Sequence, residues 1–157
     1  MFSYSLNFEP IKGMEILSLT ETKEGIEVLT SLNEKTAKCP NCHQVSDERH
    51  SRYPRRVSDL KISGKPVTLL LITRKWFCYS ANCHVRVFTE RVQGVSPYQR
   101  KTDRLQALFR ELAFSMNAKA AERVSHTLGT PTSHDTFLYL IRSTSTLVLK
   151  ECPFRSY

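Results

Sequence analysis

The sequence predicts an α+β chain in which strands come first and helices follow. Three observations carry this. Apolar and polar residues alternate on both sides of a turn in residues 14–33, two cysteine pairs bracket two further alternating runs, and from residue 102 the apolar period lengthens to that of a helix. With 157 residues, 40% of them hydrophobic, the chain can bury a core of ordinary size.

The first element is a β-hairpin in "MEILSLTETKEGIEVLTSLN", turning at Lys23-Glu24-Gly25, with Ile26, Val28, Thr30 and Leu32 on the buried face of its return limb. That limb leads into "KCPNC". Two strands follow, "RYPRRVSDLKI" and "KPVTLLLITRKWFC", joined at Ser63-Gly64, where glycine tolerates the positive φ of a turn.

Beyond them, Leu105, Leu108, Phe109 and Leu112 make one helical stripe, with Thr102 as N-cap and Asp103 complementing the helix dipole. A second helix, "NAKAAERVSHTL", is stopped by Gly129, and a third, "HDTFLYLIRS", starts after Ser133 as its N-cap. The remainder, "STLVLKECPFRSY", holds a brief apolar run and no assignable element, and it leaves Cys152 as a lone thiol of undecided role. The expected division is 1–95 for the hairpin and cysteine unit, 96–144 for the helices and 145–157 for an unassigned tail.

The cysteines form a CxxC, Cys39 and Cys42, and a CxxxxC, Cys78 and Cys83. Structural zinc takes four ligands tetrahedrally, and one knuckle before a hairpin with another after it is how a zinc ribbon assembles them. One structural Zn2+ held by these four residues is therefore expected. Four thiolates leave no coordination position open for water, so the site is read as structural and not catalytic. A β-unit this small has little core of its own, and zinc binding, roughly 10–16 kcal/mol apparent, would supply much of its folding free energy.

His43 and His84 each adjoin a cysteine, and either could replace one in a three-plus-one set; otherwise they lie outside the knuckles. His50 reads as a polar surface residue. An odd count of five cysteines at metal-like spacing fits a reducing compartment better than a disulfide framework.

The net charge of +8 is unevenly spread. Residues 1–37 carry three Lys against six Glu, residues 38–101 carry thirteen Lys and Arg against four acids, and residues 102–157 carry seven against five. A middle segment this basic favours a polyanionic partner, because each neutralised phosphate releases a condensed counterion. The N-terminus lacks a basic start followed by an apolar core, and "VTLLLI" is far shorter than the roughly 20 residues that span a bilayer. A cytoplasmic, nucleoid-associated protein without membrane contact is expected.

Helix two, a glycine turn and helix three have the layout of a helix-turn-helix, whose second helix enters the major groove. Phe137, Leu138 and Ile141 are placed to pack inward, which leaves Asp135, Tyr139 and Arg142 on an exposed face with His134 at the helix start. Arg142 could read guanine or clamp a phosphate, and His134 could do either. Candidate DNA contacts are thus Arg49, Arg52, Arg55, Arg56, Arg74, Lys75, Arg100 and Lys101 toward phosphates, and His134, Tyr139 and Arg142 from the helix.

Taken together, "CPNC", "HSRYPRR", "WFC" with the second cysteine pair, "FTER", "PYQRKT" and "PTSHDT" resemble the N-terminal half of bacterial insertion-sequence transposases of the ISL-three family, over roughly residues 10–143. The resemblance implies a zinc-binding domain with Cys39, Cys42, Cys78 and Cys83 as ligands. It also implies a helix-turn-helix, the two together binding the terminal inverted repeats of the element as double-stranded DNA. A homodimer, or association with a full-length transposase, would be the protein partner.

Family members continue into a ribonuclease-H-like domain with three acidic residues that hold divalent metal ions. "LVLKECPFRSY" does not resemble its start, so a truncated, non-catalytic product is expected. Asp59, Asp103 and Asp135 are assigned to a turn and two helix starts, and no carboxylate pair suited to two-metal chemistry is seen. Two other classes compete: a zinc-ribbon module for protein interaction or dimerisation without DNA affinity, and an active nuclease, for which no residues are seen.

Overall fold

The computed structural model describes residues 13–149, with side chains through Thr144, so Cys152 lies outside the described residues. Strands β1 (Met14–Glu21) and β2 (Ile26–Leu32) form the expected antiparallel hairpin, closed by bonds of 2.8 and 3.4 Å exchanged between Thr22 and Gly25. Two-residue strands β3 (Ala37–Lys38) and β4 (Val45–Ser46) frame the first cysteine pair. The long hairpin β5 (Arg49–Ile62) and β6 (Lys65–Phe77) turns at Ser63 and Gly64, with φ of 50° and 77°. Positive φ at both central residues is the turn whose twist matches that of the strands it joins.

The two hairpins are not separate units. β2 lies parallel to β6, from Ile26 opposite Val67 to Ser31 opposite Ile72, so the sheet order is β1-β2-β6-β5. A short β7 (Val87–Thr89) pairs with the far end of β6. Pro54 sits on β5, an edge strand, where its missing N–H need cost no ladder bond.

One face of this sheet carries Ile26, Val28, Leu32, Val57, Val67, Leu69 and Leu71, covered by Val92 and Val95 from the segment after β7. The cover reaches β1 only at Met14, so the buried face of the first hairpin comes almost wholly from β2.

Helices α1 (Asp103–Ser115), α2 (Ala118–Thr127) and α3 (His134–Leu149) pack around Leu105, Phe109, Ala113, Ala121 and Phe137. Thr102 caps α1 by accepting from Leu105 N, and Asn117 caps α2 by accepting from Ala120 N. The helices dock on β5. Ser58 donates its N–H to Arg100 O at 2.9 Å and accepts from Thr102 N at 3.0 Å, and Leu60 joins the helical core. Among the described residues, no helix is long and apolar enough to cross a membrane.

Four local expectations change. Asp59 is not a turn residue: it is a fully buried strand carboxylate that accepts from Thr102 Oγ1, Arg104 Nε and the Leu60 N–H, each at 2.7–2.8 Å. Leu140, not Leu138, packs with the helical core beside Ile141. The Ser133 hydroxyl meets the Thr136 hydroxyl at 3.1 Å, while its carbonyl takes the first helical N–H groups. Finally, α3 runs to Leu149, so part of the segment left unassigned by periodicity is helical.

Candidate metal centre and basic surfaces

Each cysteine pair is held by its own backbone. In the first knuckle Cys39 N donates to Gln44 O and His43 N to Cys39 O, both at 2.9 Å. His43 takes φ of 61°, a left-handed turn position in which His is one of the better-tolerated residues. In the second, Cys78 N donates to Arg86 O at 2.8 Å and Cys83 N to Ser80 O at 3.1 Å. Because β5 and β6 are antiparallel, the chain enters β5 just after the first knuckle and leaves β6 at the second, at one end of the hairpin.

The result is a single cluster: the ligand atoms of Cys39, Cys42, Cys78 and Cys83 all lie within 4.8 Å of one another. Cys39 and Cys83 are 3.9 Å apart and Cys42 and Cys78 are 3.6 Å apart. A tetrahedral zinc with Zn–S near 2.3 Å requires sulfurs about 3.8 Å apart, whereas a disulfide requires about 2.0 Å. The four residues fit one structural zinc ion. His43 and His84 are exposed and outside the set, which closes the three-plus-one alternative.

The electrostatics agree with a cation at this point. Burial opposes charge on Cys39, but the backbone N–H groups of Cys42 and Asn41 aimed at its sulfur outweigh that and bring it down to about 7. At Cys78 the Ser80 N–H favours the thiolate, yet burial and the three neighbouring sulfurs hold it up to about 12. Four crowded sulfurs cannot all ionise without a positive charge among them. Asn41 Nδ2 donates to Cys83 Sγ at 3.3 Å, steadying that sulfur. Trp76 and Phe88 close the cluster on its apolar side.

A second set of residues ties this centre to the sheet, and sequence reasoning missed its role. Arg74 Nε donates to Glu90 Oε2 at 2.9 Å, Nη1 to Glu34 O at 2.8 Å and Nη2 to Leu32 O at 3.0 Å. Glu90 also accepts from Arg74 N at 2.9 Å and from Trp76 Nε1 at 3.3 Å. The period-two spacing of Arg74 and Trp76 in "TRKW", on a strand ending in a cysteine knuckle, was the available signal. Arg74 therefore faces inward as a strut.

The other predicted DNA contacts separate by position. Arg49, Arg52 and Arg56 are exposed, and their register partners Trp76, Arg74 and Leu70 place them on the sheet face opposite the Val57, Leu69 and Leu71 core, the same face on which Trp76 and Arg74 turn in toward the zinc end and Arg49 lies over the Trp76 ring at 5.6 Å. Arg56 pairs with Glu27 at 2.7 Å in solvent. Arg55 and Lys75 lie on the other face, with Lys75 over the Tyr53 ring at 5.4 Å. Arg100 is exposed. Lys101 is half-buried with its ammonium 5.6 Å from the Phe109 ring, and burial lowers its pKa.

On α3, Tyr139 and Arg142 are exposed, while His134 sits between Glu122 and Asp135 at 3.7 and 3.3 Å. Among the described residues, no other cluster of His, Cys, Asp or Glu gathers three ligands around one point.

Comparison with known proteins gives one match. Residues 35–83 match the family described as the zinc-finger of transposase IS204/IS1001/IS1096/IS1165. No curated protein and no solved structure matches the chain. The matched span contains both knuckles and the hairpin between them, and it closes on the fourth ligand. Residues 35–83 are therefore similar to the zinc finger of ISL-three-type insertion-sequence transposases, with all four cysteine ligands gathered in one cluster.

Proposed function

We propose that this chain is a DNA-binding module that recognises the terminal inverted repeats of an insertion sequence and supplies no strand-transfer chemistry itself. The observation that carries the reading is the row of Arg49, Arg52 and Arg56 along one face of an edge strand that begins directly after a zinc knuckle. The eight strand residues from Arg49 to Arg56 extend roughly 23 Å. That is enough to follow several phosphates of one backbone. The solvent-exposed Arg56–Glu27 pair holds little free energy, about 0–1 kcal/mol, so a phosphate can displace Glu27.

The helix-turn-helix is the second half of this reading. Tyr139 and Arg142 project from α3, and α2 meets α3 across a glycine turn, as a recognition helix requires. The buried acids are committed to neighbours: Asp59 to Arg104 and Thr102, and Glu90 to Arg74.

The test is selection of duplexes from a random pool by the zinc-loaded chain, with and without chelator, followed by titration of the selected duplex at several salt concentrations. Steep salt dependence is expected, with Arg52→Ala and Arg56→Ala each lowering the salt slope by about one and weakening all sequences alike. Arg142→Ala should instead relax selectivity at one base position, by roughly 1–3 kcal/mol. Dimer formation with no affinity for any duplex would assign the chain to protein interaction instead.

A further inference from the structure

The arginine row occupies one face of the sheet; the other face, where the core cover ends, bears a different surface. A groove of about 420 Å³ opens there, lined among others by Tyr53, Arg55, Val87, Arg91, Pro97 and Tyr98. Tyr98 is 97% exposed and holds φ of 63°, a backbone conformation unfavourable for a tyrosine. It is fixed from below, since Arg55 Nη2 donates at 2.7 Å to the carbonyl of Gln99, the next residue.

The aromatic surface continues beyond the groove. Val87 is in register with Phe77, so the two share a face, and Phe77 stacks on Tyr79 at 5.7 Å with an interplanar angle of 27°. His50 meets Phe77 edge-on at 4.9 Å, and Tyr79 is 67% exposed. Cations are interleaved with these rings: Lys75 over Tyr53, and Arg91 and Arg55 in the groove wall. The acid lining the groove, Glu90, is neutralised by Arg74.

We infer that this face binds single-stranded nucleic acid, with unpaired bases stacking on Tyr98, Tyr53 and the Phe77–Tyr79 pair while Lys75, Arg55 and Arg91 meet the phosphates. Exposed rings at Tyr98 and Tyr79, with half-buried ones at Tyr53 and Phe77, interleaved with cations suit a strand without a complement, because every base offers a π-face and the backbone charge is continuous. Duplex DNA hides those faces. A proline-rich peptide could use the same rings, but it would gain nothing from a segment carrying thirteen cationic against four acidic residues. The inference goes beyond the duplex reading and rests on it only for the choice of nucleic acid; the two surfaces lie on opposite sheet faces and fail separately.

The test measures fluorescence anisotropy of the zinc-loaded chain with a labelled oligothymidine of about 20 nucleotides and with a blunt duplex of the same length. Tyr98→Ala, at a fully solvated side chain, is expected to weaken the single strand about fivefold or more, with Tyr98→Phe within about twofold of wild type and the duplex unmoved. Arg52→Ala should do the reverse. Equal effects of Tyr98→Ala on both ligands, or none on the single strand, would overturn the inference. So would single-strand affinity undiminished by salt. Duplex binding with no single-strand binding overturns it and leaves the duplex reading standing; no binding to either removes both.

Discussion

Arg74 and Glu90 meet at 2.9 Å with side chains only 12% and 2% exposed, and through them the zinc centre is fastened to the sheet. Arg74 reaches back to the carbonyls of Leu32 and Glu34, where the chain leaves β2 for the first knuckle. Glu90 lies just past β7 and holds the indole N–H of Trp76, whose ring stacks under Arg74 at 5.3 Å. Two charges buried together are costly to desolvate, and here the cost is offset because four of the contacts are charge-assisted hydrogen bonds.

Removing one partner is therefore far worse than removing both. Glu90→Ala should destabilise the chain by about 3–5 kcal/mol by urea denaturation, since it strands a guanidinium in the interior. Arg74→Met combined with Glu90→Leu should recover a substantial part of that loss. Equal destabilisation by the single and double replacements would show that the pair is not the source.

The zinc centre reports on itself through the protein's one tryptophan. Trp76 is fully buried against Cys39, Cys78 and Cys83, so chelation should red-shift its emission as this cluster opens. One zinc per chain is expected by elemental analysis, with four thiols protected from a thiol reagent until metal is removed. Cys39→Ser or Cys78→Ser should abolish stoichiometric binding and unfold the knuckle end, because the metal's roughly 10–16 kcal/mol is the folding free energy of such a unit.

What the sequence disclosed follows from the range of each signal. The knuckles, the Thr102 cap, the Ser63-Gly64 turn and the inward set of β2 are written within a few residues, and the structure places them as expected. The parallel pairing of β2 with β6 is not, because alternation says which face is buried but names no partner some forty residues away. Asp59 failed for a related reason. In "RVSDLKI" it resembles a turn residue, and only the arrival of Thr102 and Arg104 from α1 makes its burial tolerable. Arg74 sat in a basic run and looked like its neighbours, since composition does not distinguish an inward side of a strand from an outward one.

Asp59 also makes acid sensitivity predictable. Burial alone would raise its carboxyl, but the Arg104 guanidinium, the Thr102 hydroxyl and the Leu60 N–H outweigh burial and hold it below the usual aspartate range. A depressed folded-state pKa contributes stability that is complete above the ordinary value of about 3.9 and is lost as pH falls through it toward the folded one. Urea midpoints should thus fall on the acid side of about pH 4. Asp59→Asn should flatten that limb while costing roughly 1–3 kcal/mol at neutral pH, by loss of charged hydrogen bonds.

The docking of helices on sheet has its own critical position. Gly129 ends α2 with φ of 69°, and a Cβ there would lie 2.6 Å from Pro66 Cγ and 3.0 Å from Pro66 Cβ, just past the β5–β6 turn. A proline ring cannot swing aside as a flexible chain would, so Gly129→Ala meets both a conformational penalty and a clash. The expected cost is about 2–4 kcal/mol by thermal or urea unfolding. Pro66→Ala in the same chain should remove the 2.6 Å contact with Cγ, recovering part of the loss, and leave the tight 3.0 Å approach to Cβ together with the left-handed penalty of about 1–2 kcal/mol. Full recovery would mean that φ carries no cost at this turn, and no recovery would mean that Pro66 is not what the new methyl group meets. Either way the result locates where the helical unit, whose α3 carries Tyr139 and Arg142, is held against the strands that carry the arginine row.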